Sequence, residues 1–535
     1  MEFYPSLAAT GWTFIPILVT ILCVFATKRI LLSLFVGIIA SALMITDGSI
    51  FNTVILIERT VTGVIFAPSQ TALLGVFSRW YVGIIIFLLG LGVVTTFVVL
   101  TGGANAFVQS VARKVKTRKG VQFVTVGVGV LLMIDDYFNA LVNGKIAQTI
   151  TKEHNLSRAR ASYIVDSIAA PICIAAPVSS WAVAIMGNIE TVYDNIGVER
   201  NIFLDFIGMI PYHFYVFAAI AMVLVTIKLD FNMFTMKKYE KAIQETGEDI
   251  SAEVDKLGLM GEAHQSQRGT IWDFWLPIIA LTATTIFTMI ITGYQGASAE
   301  QLAEDGLVYG ILDNLSLSMS LMLGGIMAIV VSLAVGSKHL KSGDITKEQY
   351  NNAFFAGLVS MRTPILILIS SWTIAELIGS LEVGLFVSEL LENAGIYVGF
   401  IPFIMFISAA ILAFSIGTSW GTFAIVLPIA GDVIAATGAW QLLLPAMSAV
   451  LSGAVFGDHA SPISDTTVLS SAGTSCKVVA HFESQLPYAI IAAMLASVGY
   501  LFFGLTGYAG GYIAFLIAVA LVAVLAFVKT KAANQ

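Results

Sequence analysis

The chain has very little charge for its length. Of its 535 residues only 11% are Asp, Glu, Lys or Arg, whereas 57% are hydrophobic, and the mean hydropathy is +0.89. Soluble domains have about 25% charged residues, so this composition does not supply enough polar surface for a water-soluble body of this size. Apolar runs of about twenty residues recur from end to end, which is typical of helices that cross a bilayer. The sequence therefore predicts an all-α polytopic membrane protein.

Cysteine is scarce as well, and several other signals are missing. The three cysteines, Cys23, Cys173 and Cys476, are scattered, which argues against a disulfide framework and a cysteine-based metal site. No basic stripe is interleaved with aromatic residues, so nucleic-acid binding is not expected. The first ten residues, MEFYPSLAAT, lack the basic stretch of a cleaved signal peptide. We therefore expect the first apolar segment to remain as a transmembrane helix.

Eleven apolar segments are candidates for membrane-spanning helices. They lie near 8–27, 30–46, 81–101, 161–187, 203–227, 272–293, 314–335, 353–380, 441–475, 484–505 and 510–528. Two more apolar regions, 121–150 and 397–436, are interrupted by the polar runs IDDYFNAL and SIGTSWGT. Arms of about 14–18 residues give roughly 21–27 Å of helix, less than the hydrocarbon core of about 30 Å. The sequence therefore predicts about eleven spans and two re-entrant hairpins with polar tips.

Charged loops predict the orientation. The basic loops at 28–29, 113–119, 152–160 and 337–341 all fall on one side of this arrangement, and the acidic loop 298–305 falls on the other. Because basic loops stay in the cytoplasm, we predict an N-terminus outside, a cytoplasmic C-terminus and a location in the cell (inner or plasma) membrane.

The order of segments repeats along the chain. Three spans, a hairpin, a broken polar span and one more span occupy 1–227, and the same order, entered from the opposite side, occupies 272–505. Between them lies a charged segment, 228–271, expected to be a solvated cytoplasmic linker, and 506–535 adds a helix and a tail. Inverted repeats with broken helices recur in secondary transporters.

A polar run, GDHASPISDTTVLSS, lies inside the segment 441–475. A charge at membrane depth costs at least a few kcal/mol unless it is paired, hydrated or bound to an ion. Pro462 frees a carbonyl upstream, and the run supplies further ligands for Na⁺ or a proton. These candidate ligands are Asp458, His459, Ser461, Asp465 and Thr466. The alternative is that the segment bends to the surface and its acids face water.

The first hairpin tip carries Asp135, Asp136 and Asn139. Two adjacent carboxylates do not share a helix face, but at a tip both can reach one cavity, where their repulsion favours proton exchange. One of the two could instead cap the second arm, and the pattern does not indicate which.

Two further clusters lie at corresponding depths. Asp166 precedes Pro171 and Pro177, and two prolines in one segment predict a break, with polar residues lining a cavity. At the second hairpin tip, small residues accompany three hydroxyls and let the backbone approach a ligand; a tight turn without a ligand is the alternative. The hydroxyls belong to Thr418, Ser419 and Thr422.

Four motifs of the sequence are GDHASPISDTTVLSS, IDDYFNALVNG, DSIAAPICIAAPVSSW and GTSWGTFAIVLPIA. They resemble those of the NhaC family of Na⁺/H⁺ antiporters, within the ion transporter superfamily, and the resemblance extends over about 80–505. The resemblance implies secondary active transport, inverted repeats and an elevator motion of the hairpin-bearing domain. It also implies ion and substrate contacts at Asp135, Asp136, Asn139, Asp166, Thr418, Ser419, Asp458, His459 and Asp465. Members of the family differ in cargo, since some exchange organic anions such as malate and lactate or handle amino acids.

We therefore predict a Na⁺/H⁺ antiporter in the lipid bilayer, without a cofactor, in which Asp135, Asp458 and Asp465 bind the metal ion. The alternative is an ion-coupled carrier of a small carboxylate or amino acid, which Arg362 would favour if it reached the cavity. An intramembrane enzyme is not expected, since no protease or metalloenzyme motif accompanies these acids. A homodimer is expected by analogy alone.

Overall fold

The computed structural model describes residues 7–27, 29–65, 80–112, 116–152, 154–252, 266–304, 306–393, 395 and 397–533. Parts of the basic loops (Lys28, Arg113, Lys114) and of the linker (253–265) lie outside these residues. The described part of the chain is helical, with an isolated β-bridge between Ala252 and Cys476. This confirms the predicted all-α class.

The described residues of the first half form twelve α-helices, numbered in chain order. They are α1 (Ile15–Thr27), α2 (Ile30–Ile45), α3 (Ile50–Ile65), α4 (Trp80–Leu100), α5 (Gly103–Ala112), α6 (Arg118–Leu131), α7 (Asp136–Lys152), α8 (Arg158–Ala175), α9 (Ser180–Ile196), α10 (Ile202–Met209), α11 (Phe214–Leu229) and α12 (Phe234–Thr246).

The second half begins after the linker. Its helices are α13 (Ile271–Gly296), α14 (Ala299–Glu304), α15 (Gly306–Asp313), α16 (Leu317–Lys341), α17 (Lys347–Ser360), α18 (Arg362–Gly379), α19 (Val383–Asn393), α20 (Ile401–Ile416), α21 (Ser419–Thr437), α22 (Leu443–His459), α23 (Asp465–Thr474) and α24 (Val478–Ala533). The last of these is interrupted at Gly507, whose φ is 77° and ψ is −168°, between the two predicted final spans.

Four breaks occur at the predicted polar clusters. The hairpins break at 132–135, between α6 and α7, and at 417–418, between α20 and α21. The polar spans break at 176–179, where α8 and α9 are bent by 46°, and at 460–464, between α22 and α23. Proline and glycine explain these positions, because Pro177 and Pro462 lie in two of the breaks and Gly417 adopts a positive φ of 75° in a third.

The helix lengths differ in part from the prediction. Nine helices of the described residues are long and apolar enough to cross a membrane, or ten if the bent pair α8–α9 is one span. The first hairpin has arms of 14 and 17 residues, too short to span. However, the second has arms of 19 residues (Val398–Ile416 and Ser419–Thr437) that pass the length test.

Three local expectations were wrong. The segment 203–227 is not one helix, because it divides into α10 and α11 around Pro211. Helix α3 was not expected, since Glu58 and Arg59 interrupt its apolar run. The linker is not simply solvated: α12 contacts the bundle, and Glu240 is 1% exposed and accepts hydrogen bonds from Ser157 N–H (2.9 Å) and Ser157 Oγ (2.6 Å).

The two halves of the chain cross at the breaks. The second arm of the first hairpin, α7, packs against α23, which follows the break in the second half. The second arm of the other hairpin, α21, packs against α9, which follows the corresponding break in the first half. Helices α4, α13, α16 and α17 pack together as a neighbouring bundle. The crossing brings four interrupted helices together in the interior.

Candidate functional site

Asp458 lies at the centre of the second-half breaks. At the C-terminal end of α22 it is 2% exposed. Its Oδ2 accepts from Ser419 Oγ (2.6 Å) and Ser419 N–H (3.2 Å), at the start of α21. Its Oδ1 accepts from Ser464 Oγ and lies 3.4 Å from Thr466 Oγ1. Because these donors belong to the two adjacent breaks, the Asp458 carboxylate joins α21, α22 and the start of α23.

The first hairpin tip separates its two carboxylates. Asp135 Oδ1 accepts from the N–H of Phe138 at 2.8 Å, the geometry of a helix N-cap, so Asp135 caps α7. Asp136, the first residue of α7, is 1% exposed, and both of its carboxylate oxygens lack a hydrogen-bond partner. The structure thus answers the question that the sequence left open.

Asn139 and Asn143 join the two arms of the first hairpin by hydrogen bonds. Its Nδ2 donates to Gly129 O on α6 at 2.7 Å, and Asn143 Nδ2 donates to Thr125 O at 3.0 Å. Both asparagines therefore satisfy carbonyls of the facing arm.

More polar groups without partners lie beside Asp136. The backbone N–H of Ser180 donates to Ile134 O at 2.8 Å, which joins the start of α9 to the first hairpin tip. The hydroxyl of Ser180 and Nε1 of Trp181 are buried and unpartnered. Asp136 interacts electrostatically with Asp135 and Asp458, and the Trp181 side chain is a hydrogen-bond donor beside it. Buried polar groups are almost always hydrogen-bonded, so the Asp136 carboxylate, the Ser180 hydroxyl and Trp181 Nε1 can together bind a ligand or water.

Asp465 lies outside that buried group. It is exposed, and its Oδ2 lies 3.3 Å from the Tyr137 hydroxyl. Both residues line a cavity of about 420 Å³ between α7, α21 and α23 on one side and the α17–α18 junction on the other. The other lining residues are Ser360, Thr363, Pro364, Ile367, Trp420, Val468 and Leu469.

The three carboxylates predicted to share a metal ion do not converge. Asp135 caps a helix, Asp458 is held by hydroxyls and Asp465 faces the cavity. Among the residues that the structure describes, no group of three or more His, Cys, Asp and Glu side chains could hold a metal ion. A transported cation would need hydroxyl, carbonyl or water oxygens beside Asp458 or Asp136.

Asp166 lies at the centre of a second buried network. Its Oδ1 accepts from Ser470 Oγ (3.1 Å), and its Oδ2 accepts from Gln485 Nε2 (2.6 Å) and lies 3.2 Å from His481 Nε2. Sequence reasoning missed His481 and Gln485, because they precede or begin the apolar segment predicted at 484–505. Their spacing of four residues, which places them on one helix face, was the available signal.

The remaining predicted residues take supporting positions. Thr418 is the N-cap residue of α21, and Thr422 Oγ1 donates to its carbonyl at 3.0 Å. The Ser461 hydroxyl is buried without a partner, and His459 Nδ1 lies 3.2 Å from the Tyr215 hydroxyl. Arg362 is exposed and does not line the cavity, so it gives no support to an anionic cargo.

Broken helices that meet at buried carboxylates are the architecture of secondary transporters. A model of the Na+/H+ antiporter family matches residues 172–505, and the chain belongs to this family.

Two curated proteins and one solved structure are similar to this chain. An uncharacterized protein of Haemophilus influenzae is 35% identical over 98% of this chain and 96% of its own length. The malate-2H(+)/Na(+)-lactate antiporter of Bacillus subtilis is 31% identical over 37% of this chain and 41% of its own. The solved YdaH transporter of Alcanivorax borkumensis has a TM-score of 0.52 at 12% identity, covering 86% of this chain and 89% of that one, a likeness of fold alone.

Proposed function

We propose that this protein exchanges Na⁺ for H⁺, with Asp136 and Asp458 as the groups that bind the two ions in turn. The observation that carries the proposal is the Asp136 carboxyl group, which is buried and has no hydrogen-bond partner. An isolated carboxylate in such surroundings is strongly disfavoured, so the group has to hold a proton or lie beside a cation. An antiporter requires a site that binds either a proton or the cation, but not both at the same time.

The neighbouring groups suit a hard cation. Asp458 lies among the hydroxyls of Ser419, Ser464 and Thr466, and the Ser461 hydroxyl is unpartnered. Oxygen ligands of this kind replace part of a hydration shell, and interrupted helices offer free carbonyls beside them. Na⁺ binding near Asp458 and Asp136 would displace the proton from Asp136 by charge repulsion.

We further propose that access alternates by an elevator motion of two inverted repeats. The support is the reciprocal crossing, in which α7 packs on α23 and α21 packs on α9. A motion of these helices past the α4, α13, α16 and α17 bundle would expose the cavity to one side and then the other. Residence in the plasma membrane, with the N-terminus outside and the C-terminus inside, and assembly as a homodimer belong to the same proposal.

The cavity favours a second candidate, an ion-coupled carrier of a small organic solute. A volume of about 420 Å³ exceeds what a bare ion fills and falls in the range of small-molecule sites. The charged side chain in its lining is Asp465, beside the aromatic rings of Tyr137 and Trp420. This lining suits an ammonium group better than a dicarboxylate, so an amino acid is the stronger form of this candidate.

The deciding experiment uses purified protein in proteoliposomes with a trapped pH dye and an imposed proton gradient. Na⁺, Li⁺, K⁺, malate, lactate and amino acids are added in turn. We expect Na⁺ or Li⁺ alone to collapse the gradient, and Asp136→Asn to reduce that flux at least about tenfold because the proton carrier is gone. A gradient that moves only with an organic solute would instead establish the second candidate.

Asp432→Asn is the matched control. Asp432, on α21, likewise has a buried, unpartnered carboxylate oxygen, and it lies 13 residues, or about 20 Å of helix, from Ser419. The flux of the Asp432→Asn variant should equal that of the wild type. Equal losses in both variants would show that any intramembrane carboxylate matters, and the assignment to Asp136 would fail.

A further inference from the structure

A second group of buried titratable side chains lies outside the Asp136–Asp458 site. The side chains of Asp166 and His481 are both 0% exposed, with His481 Nε2 3.2 Å from Asp166 Oδ2. We propose that Asp166 and His481 form a second proton-binding site of the transporter, loaded from the face that carries the linker. The proposal rests on the proposed cation/proton exchange and adds a second proton to it.

Three polar atoms beside the pair have no protein partner and are able to bind a proton or a water molecule. His481 Nδ1, Gln485 Oε1 and His459 Nε2 are buried and lack hydrogen-bond partners. Buried polar atoms left unpaired by the protein are the places where ordered water lies. Three of them around one Asp–His pair indicate a small hydrated space, along which a proton can move.

One side chain connects this pair to the cation site. Gln485 Nε2 donates both to Asp166 Oδ2 at 2.6 Å and to His459 O at 2.9 Å. His459 directly follows Asp458 at the end of α22, and Asp166 interacts electrostatically with Asp458. A change of charge at one site therefore changes the electrostatic potential at the other.

The opposite end of the network reaches the linker face. His481 lies in the first turn of α24, and its backbone N–H donates to Lys477 O at 2.9 Å. Lys477 N–H donates to Ser251 O in the linker at 2.9 Å, and Arg158 Nη1 donates to Thr474 O at 3.0 Å. His481 is therefore one helical turn from charged, partly exposed residues.

The step is a simple proton transfer. Neutral His481 keeps its Nε2 proton and donates a hydrogen bond from it to the Asp166 carboxylate, so that its Nδ1 carries a free lone pair. A proton from water on the linker face binds Nδ1, and the imidazolium that forms is balanced by the Asp166 carboxylate. Release returns that proton from Nδ1 to water, and a cation arriving at Asp458 favours release by repulsion.

Other titratable groups face the pair from the helices around it. They are His459 and Asp458 on α22, Tyr215 on α11 and Tyr163 on α8. Helix α23 contributes the Ser470 hydroxyl, and α20 has no titratable residue. On α12, Tyr239 faces Glu483 and Cys476, nearer the surface.

The test measures protons and sodium separately in proteoliposomes. A pH dye and ²²Na⁺ give the number of protons moved per Na⁺, and ²²Na⁺/Na⁺ exchange at equal pH gives movement of the cation site alone. We expect His481→Gln to retain exchange within about twofold while the protons moved per Na⁺ fall by about half, because one of two proton sites is lost. The control is His213→Gln. His213 is also fully buried, but both of its ring nitrogens lack a hydrogen-bond partner, so this change should leave both values unchanged.

An unchanged proton-to-sodium ratio in an actively exchanging His481→Gln variant overturns the proposal. If that variant does not purify as a monodisperse protein, the double variant Asp166→Asn/His481→Gln, which replaces the Asp–His pair by two neutral hydrogen-bonding groups, is measured with the same two expected results. The proposed function is judged separately, since Asp136→Asn should lose exchange and proton flux together. A wild type that exchanges ²²Na⁺ but moves no protons would remove both proposals.

Discussion

Asp135 and Asp136 are neighbours in the chain, yet they have opposite surroundings. Asp135 precedes α7 and bonds the Phe138 N–H, whereas Asp136 is the first helical residue and bonds nothing. The position of the first residue of α7 decides which of the two carboxylates is hydrogen-bonded. The sequence predicts the start of a helix only to within one or two residues.

This difference gives a prediction for Asp135. Asp135→Ala should lower the free energy of unfolding by about 1 kcal/mol through loss of the cap. Asp135→Asn, which can still cap, should keep both stability and flux. Thermal unfolding in detergent and proton flux in vesicles measure the two properties. A stable Asp135→Asn variant without transport would mean that Asp135 binds the ion itself.

The sequence marked most of the buried polar residues of the site but not their partners. Asp136, Asp166 and Asp458 stood out because charges are rare in apolar segments. The separation of Asp166 from Asp458 into two networks depends on His481 and Gln485, whose neighbours come from helices hundreds of residues away. Such long-range pairing leaves no local pattern.

At the scale of helices, the crossing of α7 and α23 depends on two glycines. A Cβ on Gly144 would lie 2.9 Å from backbone atoms of Gly473, closer than real side chains come. The two helices therefore touch backbone to backbone, which holds the first hairpin against the second-half break.

Gly144→Ala should accordingly force α7 and α23 apart. We expect a loss of about 1–3 kcal/mol in stability from overpacking and a several-fold loss of flux, measured by thermal unfolding and the vesicle assay. Gly127→Ala in α6 is the control, because a Cβ there meets nothing within 4 Å. That change should be neutral or stabilising by up to about 1 kcal/mol. Equal effects of the two changes would refute the role of the close contact.

Breaks were easier to predict than the ends of helices. Pro177, Pro462 and Gly417 mark breaks by their backbone chemistry, and the structure places breaks there. Pro211 gives the same signal but lies in a strongly apolar segment, so hydropathy concealed the division between α10 and α11. In α3 the opposite error arose, since Glu58 and Arg59 concealed a helix.

At the scale of the molecule, the cavity lies between Ser360 at the end of α17 and Leu469 on α23. Helix α17 packs with α4, whereas α23 packs with the first hairpin. An elevator motion would move these two residues relative to each other.

Linking Ser360→Cys to Leu469→Cys should therefore stop transport. Cys173 and Cys476 are buried, so replacing Cys23 by serine gives a suitable background. We expect a bifunctional thiol reagent to reduce flux at least about tenfold in the double variant, since a fixed gap blocks domain movement. The single-cysteine variants should stay active after the same treatment. Full flux in a completely cross-linked protein would exclude movement of α23 past α17.

The crossing of the two halves also bears on how the protein is made. Asp166 meets Ser470 only 304 residues further along the chain, which takes about 15–60 s at a synthesis rate of about 5–20 residues per second. During that interval the first half resides in the bilayer with Asp166 lacking its partners Ser470, His481 and Gln485. A nascent chain of this kind has to be shielded by the insertion machinery until its second half arrives, and premature termination would yield a product fit only for degradation.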